Sequence, residues 1–235
     1  MLVILSSAHD STARSVVEAW APWGAALCTP ADLSTSGWRY SADKPDEGAA
    51  VVAGQIVPVS TMTGVLTRLP AIHADMLPHI HAADRDYVAS EMTAFLIAFL
   101  SSLPCRLLNR PTAGSLLGPS WRPEQWIRTA AKAGIPVRPI HRSVRLGAQL
   151  RPESEIAADV TVIGDRILGG VKPSLAAWAH SLAQAAGVGM LTLGFARYGS
   201  GLALASANPM PDLNSHEKID AAREFLLADS KEQRP

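Results

Sequence analysis

Short aliphatic runs alternate with longer amphipathic stretches along most of the chain. Residues 2–5 are four aliphatic side chains followed by Ser-Ser-Ala-His-Asp, the pattern of a buried parallel strand entering a loop. Asp10 or Ser11 stands where a helix cap is expected, and Val16, Val17, Trp20 and Trp23 follow at helical spacing. Residues 25–29 read as a second strand, which makes the start a βαβ unit. Residues 49–53 and 55–59 are β-branched runs around Gly54 and predict a hairpin. A strand at 65–69 ends at Pro70. The clearest helix covers 84–102, where Tyr87, Val88, Met92, Phe95, Leu96 and Phe99 form a wide apolar stripe stopped by Pro104.

A strand at 106–109 runs into Arg110-Pro111, and Pro123 opens a helix that Gly134 closes. Residues 140–157 are polar and aperiodic, and the boundary between two lobes is placed there. Beyond it, 160–164 and 167–171 predict strands around Gly164-Asp165. Ser174 is read as the cap of a helix ended by Gly187. Residues 190–196 and 202–207 pair across the turn 198–201, and Asn208-Pro209-Met210-Pro211 breaks the sheet. A final helix spans about 215–228.

Composition narrows the classes. The chain has 235 residues, 48% hydrophobic and 18% charged, enough for a sizeable core. Lys plus Arg is 21 and Asp plus Glu is 21, so no overall field draws in nucleic acid or an anionic membrane. Neither a membrane span nor a signal-peptide pattern is read. The two cysteines, Cys28 and Cys105, form no disulfide framework and suit a reducing cytoplasm.

Candidate chemistry is sparse. His79 and His81 share a spacing that a strand face could use for a metal, with His73 nearby. They lack a third ligand and read as solvated loop histidines. No phosphate-binding glycine loop or nucleophile elbow occurs; the glycines of Gly199-Ser200-Gly201 sit in a hairpin turn. The loop holding Ser6, His9 and Asp10 follows a strand end, where ligands bind in open α/β sheets. Asn109 and Asn208 each follow a strand and precede a breaker. Turn formation and ligand contact are both open readings for Asn208.

Taken in order, the motifs resemble the ATP-grasp ligases, specifically the ribosomal-S6-modification and graspetide-ligase branch. The carrying segments are Asp32-Leu33-Ser34 with Gly37-Trp38-Arg39; Val65-Leu66-Thr67-Arg68-Leu69-Pro70; the helix start from Asp84 to Glu91; and Leu108-Asn109-Arg110-Pro111. Residues 126–139, 159–166 and 191–209 complete the series. The resemblance implies an α/β fold with a pre-ATP-grasp-like N-terminal βαβ lobe at 1–139 and a connector at 140–157. An ATP-grasp-like α+β lobe at 158–235 follows. The connector would stand where the family has a lid lobe over the nucleotide, so the fold is expected to lack that lobe. It carries Arg142, Arg145 and Arg151 but no lysine.

The resemblance also implies a magnesium-binding acid followed by Glu-x-Asn on the last strand pair. These positions are Gly194, Ser206 and Asn208, of which only Asn208 is retained, and Asp159 stands where an arginine would face phosphate. Catalytic and metal assignments are therefore none, and weak or no MgATP binding is expected.

The expected function is an ATP-grasp-like pseudo-enzyme or accessory binding subunit in peptide or small-molecule tailoring. An active ATP-grasp-type carboxylate-amine ligase, or an enzyme with altered chemistry, is the alternative. Candidate liners of an inter-lobe cleft are Ser6, His9, Asp10, Arg68, Asn109, Arg166, Arg197 and Asn208. The expected partners are a second copy or an intact ATP-grasp ligase, through the helix at 84–102, and a peptide or small-molecule ligand.

Overall fold

The computed structural model describes residues 1–140, 155–169 and 172–228; Arg142, Arg145 and Arg151 lie outside them, as does the end of the strand expected at 167–171. The chain divides into two compact units, Met1–Ser120 with Asp212–Pro235, and Trp121–Pro211.

The first unit is built on β1 (Leu2–Leu5), β2 (Ala25–Cys28), β5 (Gly64–Thr67) and β6 (Arg106–Leu108), all parallel in the order β2-β1-β5-β6. A separate antiparallel hairpin pairs β3 (Ala49–Val52) with β4 (Gln55–Pro58). Strand alternation splits the parallel sheet into two buried faces. Val3, Leu5, Val65 and Leu107 join the core formed with Leu96, Phe99 and Leu100 of α3 (Arg85–Ser102) and with Ala50 and Val52 of the hairpin. Leu2, Ile4, Leu66 and Leu108 occupy the other face, each fully buried.

Helices α1 (Ser11–Ala19) and α6 (His216–Leu227) lie together there, and the Trp20 indole N–H donates to the Ile219 carbonyl at 3.2 Å. Gly64 lets α6 close on β5. A Cβ at this position would stand 2.7 Å from Leu226 Cβ and 3.0 Å from the Leu226 carbonyl oxygen. Arg106 lies 5.1 Å over the Phe225 ring. The last helix thus packs on the parallel sheet, whereas the sequence grouped it with the strands preceding it.

The second unit is a four-stranded antiparallel sheet in the order β10-β9-β7-β8. Its strands are β7 (Ile156–Ile163), β8 (Arg166–Leu168), β9 (Met190–Tyr198) and β10 (Gly201–Asn208). Helices α4 (Pro123–Lys132) and α5 (Pro173–Ala186) supply Trp126, Ala130, Leu175, Ala179 and Leu182 to a core with Val160, Val162, Leu191, Leu193 and Phe195. Beyond α4, the Arg138 N–H donates to the Leu204 carbonyl and the Leu204 N–H to the Pro136 carbonyl. These bonds lay residues 136–138 along the edge of β10.

Several expectations shift. Strand β7 begins at Ile156, inside the stretch read as connector, because β9 is long enough to pair with it there. Lys172, not Ser174, is the N-cap of α5, and Pro173 takes the first helical position. Helix α1 stops at Ala19 because Pro22 and a left-handed Gly24 turn the chain, so Trp23 is not part of its buried stripe. Trp23 is 43% exposed and lies under Arg223 at 4.1 Å. Tyr87 belongs to no core either, at 69% exposed. The helix Pro30–Leu33, one turn labelled α2, was not foreseen.

Candidate functional sites

In the first unit, β1 lies between β2 and β5. The chain leaves β1 through α1 toward one edge of the sheet and reaches the other edge through β5 and β6. The carboxyl ends of β1 and β5 therefore flank the switch point at which open α/β sheets hold ligands. Ser6, Asp10 and Arg68 meet there. Arg68 Nε donates to Asp10 Oδ2 at 2.8 Å, and Ser6 Oγ donates to the same oxygen at 3.0 Å.

Asp10 Oδ1 accepts the Ala13 N–H at 3.0 Å, so one carboxylate both caps α1 and holds the arginine. Asp212, on the approach to α6, comes within 4.0 Å of Arg68. Burial pushes the Asp10 carboxyl up. The Arg68 hydrogen bond, the Ala13 N–H, the Arg68 charge and the Ser6 hydroxyl outweigh it and hold Asp10 below its ordinary value. Asn109 is buried at the end of β6, whereas His9 is exposed.

Thr67 was overlooked by the sequence reading. It is fully buried at the end of β5, opposite Leu5, and its hydroxyl has no hydrogen-bond partner among the described residues. A threonine in a β-branched strand carries no local signal of such a role.

In the second unit, strand register brings the three positions implied for magnesium onto one sheet face. Asp159 is opposite Gly194, and Gly194 opposite Ser206. The next row is Thr161, Thr192 and Asn208, with the two threonine hydroxyls 2.7 Å apart. Arg166, opposite Ile163, lies on the same face. Asn208 Oδ1 accepts the Met210 N–H at 2.9 Å, which is turn chemistry ahead of two prolines.

The donor set does not fit the magnesium ion that the resemblance implies. Asp159 is the only acid in the four strands. The space a side chain at 194 would enter is taken by Ser206 Oγ, 2.5 Å from a Cβ there, and Ile156 Cδ1 at 2.9 Å. Magnesium held by protein needs carboxylate oxygens in near-octahedral array. Among the described residues, no group of three or more His, Cys, Asp or Glu comes together.

Arg197 parts company with Arg166 and Asn208. It is opposite Leu202, on the face that α5 covers. His79 bonds the Ser34 hydroxyl at 2.7 Å, and His81 stands 3.9 Å from Asp84, both exposed. Burial pushes the Cys28 thiol far up and the Cys105 thiol up to about 11, so neither is an activated nucleophile.

The fold, a parallel α/β unit joined to an antiparallel unit with two helices on one face, is that of the ATP-grasp ligases. The solved structures it matches include the ATP-grasp ligase PsnB complexed with a minimal precursor, at TM-score 0.68 and 13% identity, covering 95% of this chain and 98% of that one. The macrocyclase MdnC of Microcystis aeruginosa, bound with precursor peptide MdnA, matches at 0.67 and 11%, over 97% and 99%. The RimK domain ATP-grasp protein of Sphaerobacter thermophilus matches at 0.56 and 18%, over 97% and 100%. No protein-family model matches the sequence, and no curated protein does. Among the described residues, no helix is long and apolar enough to cross a membrane.

Proposed function

We propose that this chain is an ATP-grasp-fold pseudo-enzyme or accessory subunit of peptide or small-molecule tailoring, working in the cytoplasm and not performing ATP-dependent ligation alone. The observation that carries the reading is the Asp159–Gly194–Ser206 row. Phosphoryl and acyl-phosphate chemistry depends on positive charge and metal ions to neutralise the phosphates. This row offers one carboxylate, no cation and a hydroxyl. The two-unit scaffold is retained, and it supports a binding role. PsnB and MdnC, which share the fold, are seen with precursor peptides, which supports a peptide as the ligand.

The partner would be a second copy or an intact ATP-grasp ligase, engaged through α3. Tyr87 is exposed on that helix, and Phe95 is half-buried in the aromatic cluster with Trp38, Tyr40 and Phe99.

Calorimetric titration of the full chain with MgATP tests the reading. The expected result is no saturation below about 1 mM, corresponding to less than about 4 kcal/mol of binding. A dissociation constant in the low micromolar range, about 8 kcal/mol, would overturn it in favour of an active ligase.

A further inference from the structure

The second unit has a polar concavity on the sheet face opposite the Gly194 row. A recess of about 320 Å³ opens between the start of α5 and the β9–β10 turn. Its apolar wall is Trp178 with Leu202. The indole is held in place against Phe195, with ring centroids 6.0 Å apart. Its polar lining is Lys172, Arg197, Ser174 and Ser200, and among the described residues no acid lines it. Neither Lys172 nor Arg197 forms an ion pair with any described residue.

Two cations facing one concavity repel each other, and low-dielectric walls concentrate their field. An anion removes the conflict. A guanidinium presents a planar fork to carboxylate or phosphate, an ammonium adds a point charge, and an indole accepts a flat or apolar body beside them. We infer that this recess binds an organic anion, a carboxylate or phosphate group carried next to an aromatic or apolar body. The inference is independent of whether the chain handles ATP, because the recess and the Gly194 row lie on opposite faces of the sheet.

Two sources share this chemistry, a peptide carboxylate and a phosphate ester. Nitrogen-15 NMR of the full chain, with the Trp178 indole resonance assigned through Trp178→Phe, separates them. The probes are N-acetylphenylalaninate, phenyl phosphate and the neutral N-acetylphenylalaninamide. Saturable shifts of the Trp178 indole and the Gly201 amide are expected with at least one anion at about millimolar affinity, and the better anion identifies the source.

The amide should bind at least about tenfold more weakly, and Arg197→Gln and Lys172→Gln should each weaken binding by about fivefold or more. Both side chains are exposed, so melting temperatures should stay unchanged. The inference is overturned if neither anion gives saturable shifts at these groups, if the amide binds equally well, or if the double variant keeps wild-type affinity.

Discussion

Replacing Arg68 by methionine removes a guanidinium whose side chain is 4% exposed and leaves its partner Asp10, 18% exposed, with the Ser6 and Ala13 donors among the described residues. Breaking a buried pair by deleting one partner costs about 3–5 kcal/mol. The residual solvent access of Asp10 and its two remaining donors bring the expected loss to about 2–3 kcal/mol. For a chain of this size that lowers the melting temperature by roughly 5–10 °C.

Asp10→Asn keeps a good helix cap but removes the carboxylate that Arg68 Nε holds at 2.8 Å, for which the exposed Asp212 at 4.0 Å is a weak substitute. The double variant Arg68→Met/Asp10→Asn should therefore cost less than the sum of the singles, with a coupling of about 1–2 kcal/mol. Urea unfolding of the four proteins measures it.

The pH dependence provides a second readout. The folded Asp10 carboxyl lies below its ordinary value, with burial opposing and the Arg68 bond leading the groups that lower it. A depressed carboxyl contributes stability above its unfolded value, about 3.9, and loses it as pH falls through the folded value. The gap between wild type and Arg68→Met should therefore narrow as pH falls from about 6 to about 2. A melting temperature unchanged by Arg68→Met, additive singles, or a gap that widens in acid would refute the reasoning.

Two glycines should respond differently to alanine. Gly64→Ala meets Leu226 Cβ and backbone oxygen, which cannot rotate away, and should cost about 2–3 kcal/mol in denaturant unfolding. Gly194→Ala meets only the side-chain ends of Ser206 and Ile156 and should cost less than about 1 kcal/mol. Both thiols should resist iodoacetamide in the folded protein at pH 8 and react once it is denatured, since burial raises Cys28 and Cys105; mass spectrometry reads the adducts. Phe99→Glu, at a 2% exposed core position, should unfold the first unit by circular dichroism. Tyr87→Glu should leave it folded and, if α3 engages a partner, abolish assembly in light scattering.

Local chemistry along the chain was sufficient for most elements. The run 2–5, the Asp10 cap, the hairpin at Gly54 and the glycine ends of α4 and α5 were legible because strand patterning, capping and left-handed turns are set by residues a few positions apart. Ser6, Asp10 and Arg68 were legible as candidates, but their union was not, since a parallel crossover brings positions 10 and 68 together without any short-range signal. The same holds where elements changed company. Helix α6 was grouped with its neighbours in sequence until Gly64, Phe225 and Trp20 placed it on the parallel sheet.

The start of β7 at Ile156 depends on the length of β9, and no hydrophobic run marks it. Arg197 shares residue type and strand-end position with Arg166, yet pleat and register put them on opposite faces. The sequence by itself determined the alternation of elements and that positions 194 and 206 carry glycine and serine. Tertiary structure alone decided which side chains share a face, because that depends on strand register and sheet order, and both are fixed by contacts between residues far apart in the chain.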